Sequence, residues 1–321
     1  MQHQVLGLGL ALSGQYEHQA VQLKFPWRWM LPTLIPAAPW AFREPSLFRA
    51  DTPPAIALSC GRQGMVAALT WKRLLGERVF TVHIQDPKVP PSWFDMVVVP
   101  EHDDLRGPNV VVTKGAIHHI SKAKLVEAAR NLSPDHPLRS RKQPSVAVLL
   151  GGESKHHTFT EHDADHLIHK LRRIVLAHRA GLVILPSRRT PQGVVNRILR
   201  EFGDSPDHFI WTGQCENPYI AALAVCSHVV VTSDSVSMAS EATATGKPVF
   251  IEHITSRRNA RRIERFHETF EIAGMTRPFA GELSDWSYPT LDEARRVAQI
   301  IQQLRGTDVS SPRSPILQRA A

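Results

Sequence analysis

A run of small polar residues, Thr232 to Ser237, joins a buried apolar stretch to a segment with helical periodicity. Ser235 and Ser237 fall at the predicted start of that helix, where unpaired backbone amides and the positive end of the helix dipole favour a phosphate group. Glu241 lies further along the same helix, where its carboxylate could accept hydrogen bonds from ribose hydroxyls. The alternative is that Asp234 or Ser235 only caps the helix and that Glu241 is solvated. Both interpretations fit the pattern.

Two more loops in the second half of the chain have chemistry suited to phosphate. Gly151 and Gly152 follow a predicted strand, and paired glycines let a backbone approach a ligand closely; an ordinary tight turn is the alternative. The loop after the next predicted strand contains Ser187, Arg188, Arg189 and Thr190. Two arginines suit a pyrophosphate, because the forked guanidinium matches phosphate oxygens, although a solvated pair also fits. Together the three loops predict a diphosphate site in this half.

Candidates for acid–base chemistry lie in the first half. Asp86 and His118 each follow a predicted strand, and either could take a proton from an acceptor hydroxyl; for His118 a surface loop histidine is the alternative. Cys60 is interpreted as a buried thiol rather than a nucleophile, since no base can be assigned to it. Other residues predicted to line a cleft are Gly61, Arg62, Gly64 and Lys114.

The 17 histidines do not form a metal-binding pattern. His162 and His166 are spaced as in the H-E-x-x-H motif, but Asp163 stands where that motif has glutamate, and no third ligand is evident. We therefore predict no metal and no cofactor. A run of arginines from Arg257 to Arg265 is interpreted as a solvated basic helix face or as a peripheral contact for phosphate or a membrane surface.

The composition is that of an ordinary globular protein. With 321 residues, 42% hydrophobic and 21% charged, the chain can form two domains and is not intrinsically disordered. Three scattered cysteines exclude a disulfide scaffold. The net charge, 38 − 30 = +8, favours anionic partners, and no nucleic-acid motif is present. No apolar run has the length of a membrane span. The stretch Val5 to Leu12 could pass for a signal-peptide core, but it lacks a basic start and a cleavage site, so it is interpreted as a helix and a cytoplasmic location is predicted.

Short β-branched strands alternate with amphipathic helices in both halves. This pattern predicts an α/β protein of two Rossmann-like, doubly wound parallel-sheet lobes that face each other across a cleft. The lobes are predicted at 1–140 and 143–305, with a proline-containing linker at 133–144 and a flexible tail at 306–321. The first lobe opens on a helix, whereas such a lobe usually opens on a central strand. We expect that strand, and any ligand-binding loop on it, to be missing from the sequence.

Nine short motifs, in a fixed order along nearly the whole chain, are similar to those of a known family. They are S-C-G-R-Q-G at 59–64, H-I-Q-D-P at 83–87, V-V-P-E-H-D at 98–103, T-K-G-A-I-H at 113–118, L-G-G-E-S-K at 150–155, S-R-R-T-P at 187–191, N-P-Y at 217–219, T-S-D-S-V-S-M-A-S-E at 232–241 and R-F-H at 265–267. By these motifs the chain resembles the mitochondrial fission factor family, which is named for plant elongated-mitochondria mutants and has many bacterial members.

The resemblance implies a two-lobed GT-B glycosyltransferase-like fold whose second lobe holds a nucleotide-sugar. It implies donor contacts at Gly151, Gly152, Ser235, Ser237 and Glu241, with Glu241 on the ribose. Family members usually begin with a strand and a D-G-x-x-G-H-x-x-Q loop, to which only the residues at 2–4 could correspond here. The plant members act in organelle division by recruiting partners, so the resemblance does not by itself imply catalysis.

Two functions remain open at this point. The first is a metal-independent transferase, or an epimerase, acting on a nucleotide-diphosphate sugar and an unknown acceptor, with Arg188 and Arg189 stabilising the leaving diphosphate. The second is a non-catalytic protein that keeps the fold and recruits membrane-associated or division-related partners. The second is favoured by the lack of an evident acid–base pair.

Overall fold

The computed structural model describes residues 2–12, 16–49, 53–139, 144–214, 216–306 and 316–320. They form two α/β units, one drawn from Met1–His119 and Asp292–Ala321 and the other from Ile120–Leu291. Each unit contains one six-stranded sheet in which all pairings between strands are parallel. The predicted α/β class with two Rossmann-like parallel sheets is therefore confirmed.

The first unit is built on strands that are short and largely apolar. Its strands are β1 (Tyr16–Ala20), β2 (Ile56–Cys60), β3 (Phe80–Ile84), β4 (Met96–Pro100), β5 (Val110–Thr113) and β12 (Ile316–Ala320), and its helices are α1 (Gln2–Leu12), α2 (Gly61–Leu75) and α9 (Glu293–Arg305). The sheet order is β1-β12-β2-β3-β4-β5. All five residues of β2 are buried, as expected for a strand with both faces covered.

Strand β12 lies between β1 and β2 and pairs in parallel with both. This is the position that a first strand of a doubly wound sheet would take, and the backbone groups of β1 and β2 that face it gain partners there. Strand β12 lies within residues 306–321, for which the sequence predicts a flexible tail. Residues 307–315 and 321 of the predicted tail lie outside the described residues.

The second unit has the strand order of a dinucleotide-binding sheet. Its strands are β6 (Ser145–Leu150), β7 (Gly181–Pro186), β8 (Phe209–Ile210), β9 (His228–Thr232), β10 (Val249–Glu252) and β11 (Thr276–Pro278), and its helices are α3 (Lys122–Arg130), α4 (Glu161–His178), α5 (Gln192–Phe202), α6 (Tyr219–Val225), α7 (Val236–Thr243) and α8 (Arg261–Ile272). The order β11-β10-β9-β6-β7-β8 changes direction between β6 and β9. Ligands of such sheets bind in the crevice at the carboxyl ends of the strands at this switch point.

The boundaries of the units differ from the predicted ones because two helices pack on unexpected sheets. Helix α3, placed in the first lobe by the sequence analysis, belongs to the second unit, where Leu132 and Leu138 join the core that contains α6 and β9. Residues 133–139 are therefore part of the second unit rather than a linker. Helix α9 belongs to the first unit, because Val297 and Ile301 pack against Val5 and Leu8 of α1.

Two buried histidines, one in each unit, make stability depend on pH. Burial lowers the pKa of His83 from 6.5 to about 3 and that of His267 from 6.5 to about 4. The unfolded chain binds these protons near pH 6.5, whereas the folded chain does not, so the free energy of unfolding should fall as the pH drops below 6.5. Each group contributes at most about 1.4 kcal/mol per pH unit.

Urea unfolding between pH 7 and pH 4.5 measures this dependence. His83→Asn should flatten the pH profile of the first unit, and His162→Gln, which replaces an exposed histidine, should keep the profile of the wild type. A wild-type stability that stays constant over this range would contradict the assignment of these two histidines as buried and neutral.

Candidate functional site

Three loops meet around one buried carboxylate at the switch point of the second sheet. The side chain of Asp234, which follows β9, has no solvent exposure. Its Oδ2 accepts a hydrogen bond from Gly152 N at 3.0 Å and pairs with Arg189 at 2.7 Å, while its Oδ1 accepts from Thr232 Oγ1 at 2.8 Å. The loops after β6, β7 and β9, which the sequence analysis singled out, are thus held together at one edge of one sheet.

The glycine pair after β6 is required by the packing of these loops. A Cβ atom at Gly151 would collide with the carboxylate of Asp234, and a Cβ atom at Gly152 (φ +154°) would collide with the carbonyl oxygen of Arg189. The amide of Gly151 donates to Thr232 Oγ1 at 2.7 Å, as that of Gly152 does to Asp234. Both amides are therefore engaged inside the protein, a role that the sequence analysis did not foresee.

The loop after β7 is fixed to the same glycines. The hydroxyls of Ser187 and Thr190 donate to the carbonyl oxygen of Gly151, at 3.2 and 2.5 Å. Both arginines of this loop are exposed, but Arg189 differs from Arg188 in being paired with the buried carboxylate of Asp234. The charge of Arg189 is thus largely balanced within the protein, and Arg189 positions the loops.

The first turn of α7 provides backbone donors beside this junction. Ser235 caps the helix, since its Oγ accepts from Met238 N at 3.3 Å. The first helical hydrogen bond runs from Ala239 N to Ser235 O, so the amides of Val236 and Ser237 come before the intrahelical ladder begins. Capping and anion binding were alternatives in the sequence analysis, but the cap uses only one amide of the turn and leaves room for both.

Glu241, on the next turn of α7, is buried rather than solvated. The hydroxyl of Tyr219 donates to its Oε2 at 2.6 Å. Burial raises the pKa of Glu241, and burial followed by the charge of Glu241 raises the pKa of Tyr219 well above 10. Lys124 of α3 is close enough to oppose the shift at Glu241, and burial lowers the pKa of this lysine. A buried carboxylate with a perturbed pKa beside a switch point is a candidate for binding chemistry.

A cavity of about 510 Å³ lies beside this group, between α3 and α6. Lys124 lines the cavity, and so do Pro218 and Ile220, which precede and follow Tyr219 in the chain. The cavity therefore adjoins the residues that surround Glu241. Its polar lining residues are Lys124, Glu127, Asn131, Ser133, His136, Glu216 and Asn217. Neither Lys124 nor Tyr219 was singled out from the sequence as a site residue, because each lies on a helix other than the one that carries Glu241.

The candidates of the first unit are mostly engaged in local structure. Asp86 pairs with Lys88 Nζ at 2.6 Å and accepts from Lys88 N at 2.8 Å, and His118 is buried. Arg62 donates to the carbonyl oxygens of Trp27 and Met30, so it holds a loop of its own unit. The remaining candidates are Gly61, where α2 begins with φ +72°, Gly64, buried within α2, and Lys114, which is exposed.

Cys60 is a buried free thiol, as the sequence analysis expected. Burial raises its pKa to about 11, so the unreactive thiol form dominates at neutral pH. Cys215 lies outside the described residues.

Histidines from three separate elements line a second cavity of about 310 Å³ that sequence spacing could not reveal. They are His157 before α4, His253 after β10 and His267 on α8. His267 Nε2 donates to Ser233 O at 2.7 Å, because a carbonyl oxygen can only accept a hydrogen bond. Within the described ranges, no group of three histidine, cysteine or carboxylate side chains is arranged to hold a metal ion.

The arginine run does not form one helix face. Helix α8 begins at Arg261, so Arg257 and Arg258 precede it, and Arg257 pairs with Glu153 at 2.6 Å. In the part of the chain that the structure describes, no helix combines the length and the apolar character that a membrane crossing requires.

Residues 1–304 match the model of a protein family described as Mitochondrial fission ELM1. The mitochondrial fission protein ELM1 of Arabidopsis thaliana is 34% identical over 276 residues, which cover 78% of this chain and 64% of the plant protein. The chain thus spans less than two thirds of that relative. An uncharacterised protein of Rickettsia prowazekii is 28% identical over 94% of each chain. Among solved structures, UDP-GlcNAc 2-epimerase of Methanocaldococcus jannaschii matches with a TM-score of 0.46 and 10% identity, over 78% of this chain and 77% of the epimerase.

Proposed function

Because the chain belongs to the mitochondrial fission ELM1 family and its second unit has a dinucleotide-type sheet, we propose that it binds a nucleoside diphosphate, carried as a nucleotide-sugar. The observation that carries the proposal is the junction at Asp234, which holds three strand-end loops beside the first turn of α7. A switch point beside a helix start whose first amides precede the intrahelical ladder is a suitable place for a diphosphate.

In this proposal the diphosphate lies at the first turn of α7. The amides of Val236 and Ser237 donate to its oxygens, and the exposed guanidinium of Arg188 balances part of its charge. In this arrangement the main role of Arg189 and Asp234 is to position the loops and not to bind the phosphate. They fix the three loops as a pair with almost no net charge, so Asp234 does not repel the ligand as an unpaired carboxylate would.

The ribose lies at Glu241. Tyr219 occupies Oε2 of this carboxylate, and Oε1 accepts hydrogen bonds from the vicinal hydroxyls of the sugar. The buried setting strengthens such bonds, because water competes poorly there. The bonds also offset the cost of keeping Glu241 ionised where burial raises its pKa.

We include no sugar transfer in the proposal. Of the two predicted bases, Asp86 is paired with Lys88 and His118 is buried, and both features make these groups less suited to take a proton from an acceptor hydroxyl. This arrangement favours a protein that binds a nucleotide-sugar over a transferase or an epimerase. It is consistent with the second hypothesis, in which the fold is kept for recruitment.

Replacing Glu241 by glutamine separates binding from stability. We expect Glu241→Gln to weaken binding by about tenfold or more, because charge-assisted hydrogen bonds to the ribose are worth about 1.5–3 kcal/mol. The variant should be at least as stable as the wild type, since the amide oxygen still accepts from Tyr219 and no buried charge remains. The measurements are calorimetric titration with UDP, GDP, CMP and their sugar conjugates, and thermal unfolding without ligand.

Glu282→Gln is the matched control, because it changes an exposed glutamate of the same unit, and it should bind like the wild type. Binding by Glu241→Gln at the wild-type affinity would refute the role of this carboxylate. Failure of the wild type to bind any nucleotide of the series would refute the proposed function.

A further inference from the structure

The first unit displays large apolar side chains along the segment between β1 and β2. We call residues 24–43 the tryptophan loop; it contains three single turns of 3-10 helix, at 27–29, 32–34 and 39–41. Its most exposed apolar side chains, with their exposed fractions, are Phe25 (78%), Trp29 (72%), Leu31 (68%), Leu34 (58%) and Trp40 (55%). So many large apolar side chains exposed on one short segment are typical of an interaction surface.

The backbone of the tryptophan loop is anchored to its unit. Lys24 N donates to Ala41 O and Arg43 N donates to Gln22 O, both at 2.8 Å, which ties the two ends of the loop together. Arg62 of α2 donates to the carbonyl oxygens of Trp27 and Met30.

The other face of the loop is already buried. Ile35, Ala41 and Phe42 join the core of the first unit together with Trp71 of α2. The exposed set therefore cannot turn inward without removing this buried set from the core, and the fold holds it at the surface.

The charges of the loop all have one sign. Lys24, Arg28 and Arg43 are exposed, and the sequence has no acidic residue between Glu17 and Glu44. The guanidinium of Arg28 lies 5.1 Å from the centre of the Trp29 ring, so a cation and an aromatic ring share one place on the surface.

We infer that the tryptophan loop docks this protein on the surface of a lipid bilayer that contains anionic lipids. Tryptophan and phenylalanine side chains favour the boundary between headgroups and acyl chains, and basic side chains beside them are attracted to anionic headgroups. This inference uses residues of the first unit alone and does not depend on nucleotide binding.

Vesicle flotation of the whole protein tests the inference. The protein should float with vesicles of phosphatidylcholine mixed with phosphatidylglycerol, should bind phosphatidylcholine alone much less, and should dissociate as salt is raised. Trp29→Ser combined with Trp40→Ser should lower partitioning at least about tenfold, because each variant removes apolar area that the bilayer would cover. Arg28→Gln combined with Arg43→Gln should reduce the preference for the anionic vesicles, with Lys24 left as the remaining basic residue of the loop.

Two control variants match these changes outside the loop. Leu176→Ser replaces an apolar residue of the second unit that is more exposed than either tryptophan, and Arg73→Gln replaces an exposed arginine of the first unit. Both variants should float like the wild type. The inference is overturned if the wild type does not float with either kind of vesicle, or if the controls lose as much binding as the loop variants. Concentration-dependent self-association that the tryptophan variants abolish would overturn it as well, since the surface would then be covered by a second copy of the chain.

Discussion

Replacing Gly152 by alanine is expected to lower the free energy of unfolding of the second unit by about 3 kcal/mol or more. The added Cβ would collide with the carbonyl oxygen of Arg189, which is backbone and cannot rotate away, and the φ of +154° is unfavourable for alanine. Overpacking and backbone strain each cost about 1–3 kcal/mol, and here they act together. Urea unfolding followed by circular dichroism measures the loss.

Gly274→Ala is the matched control for this variant. Gly274 also has a positive φ, +68°, but nothing lies within 4 Å of the position of an added Cβ. Its substitution should cost only about 1 kcal/mol, the price of a left-handed conformation for alanine. Equal losses in the two variants would show that the close approach of the loops after β6 and β7 does not matter for stability.

Replacing Asp234 by alanine should cost about 2–3 kcal/mol of stability. The change removes the acceptor of Gly152 N and of the Thr232 hydroxyl and leaves Arg189 without its buried partner. Breaking a fully buried ion pair costs about 3–5 kcal/mol, and the figure is smaller here because the Arg189 side chain is partly exposed. Asp234→Asn, which keeps an acceptor oxygen, should lose less.

The Asp234→Ala variant should also bind nucleotide more weakly, because the three loops would no longer be held in register. Asp165→Ala, which removes an exposed ion-pair partner of Arg197, should change stability by no more than about 0.5 kcal/mol. Chemical denaturation and calorimetric titration of the three aspartate variants give both readouts. If the Asp234→Ala protein is as stable as Asp165→Ala, the junction at Asp234 does not stabilise the second unit.

The meeting of the three loops could be predicted from the sequence, whereas the bonds within it could not. Apolar β-branched runs indicate buried parallel strands, and the polar residues after β6, β7 and β9 must then lie at one edge of the sheet. The sequence does not show that the amide of Gly152 and the guanidinium of Arg189 turn to Asp234 rather than to a ligand. That choice depends on distances between residues far apart along the chain.

The sheet against which a helix packs is harder to predict from the sequence than the helix itself. An amphipathic pattern indicates that one face of a helix will be buried, but it does not identify the sheet that covers it. Thus the lobe boundaries predicted from the sequence place α3 and α9 in the wrong units. The last five residues before the C-terminal alanine, I-L-Q-R-A, carry no alternating pattern that would have predicted β12.

The central claim is the proposal that the second unit binds a nucleoside diphosphate at the start of α7. A crystal structure of the protein soaked with UDP or GDP tests it most directly. The account predicts diphosphate oxygens within hydrogen-bond distance of the amides of Val236 and Ser237, and ribose hydroxyls on the carboxylate of Glu241. A nucleotide bound elsewhere on the protein, or crystals that stay empty at saturating nucleotide, would contradict it.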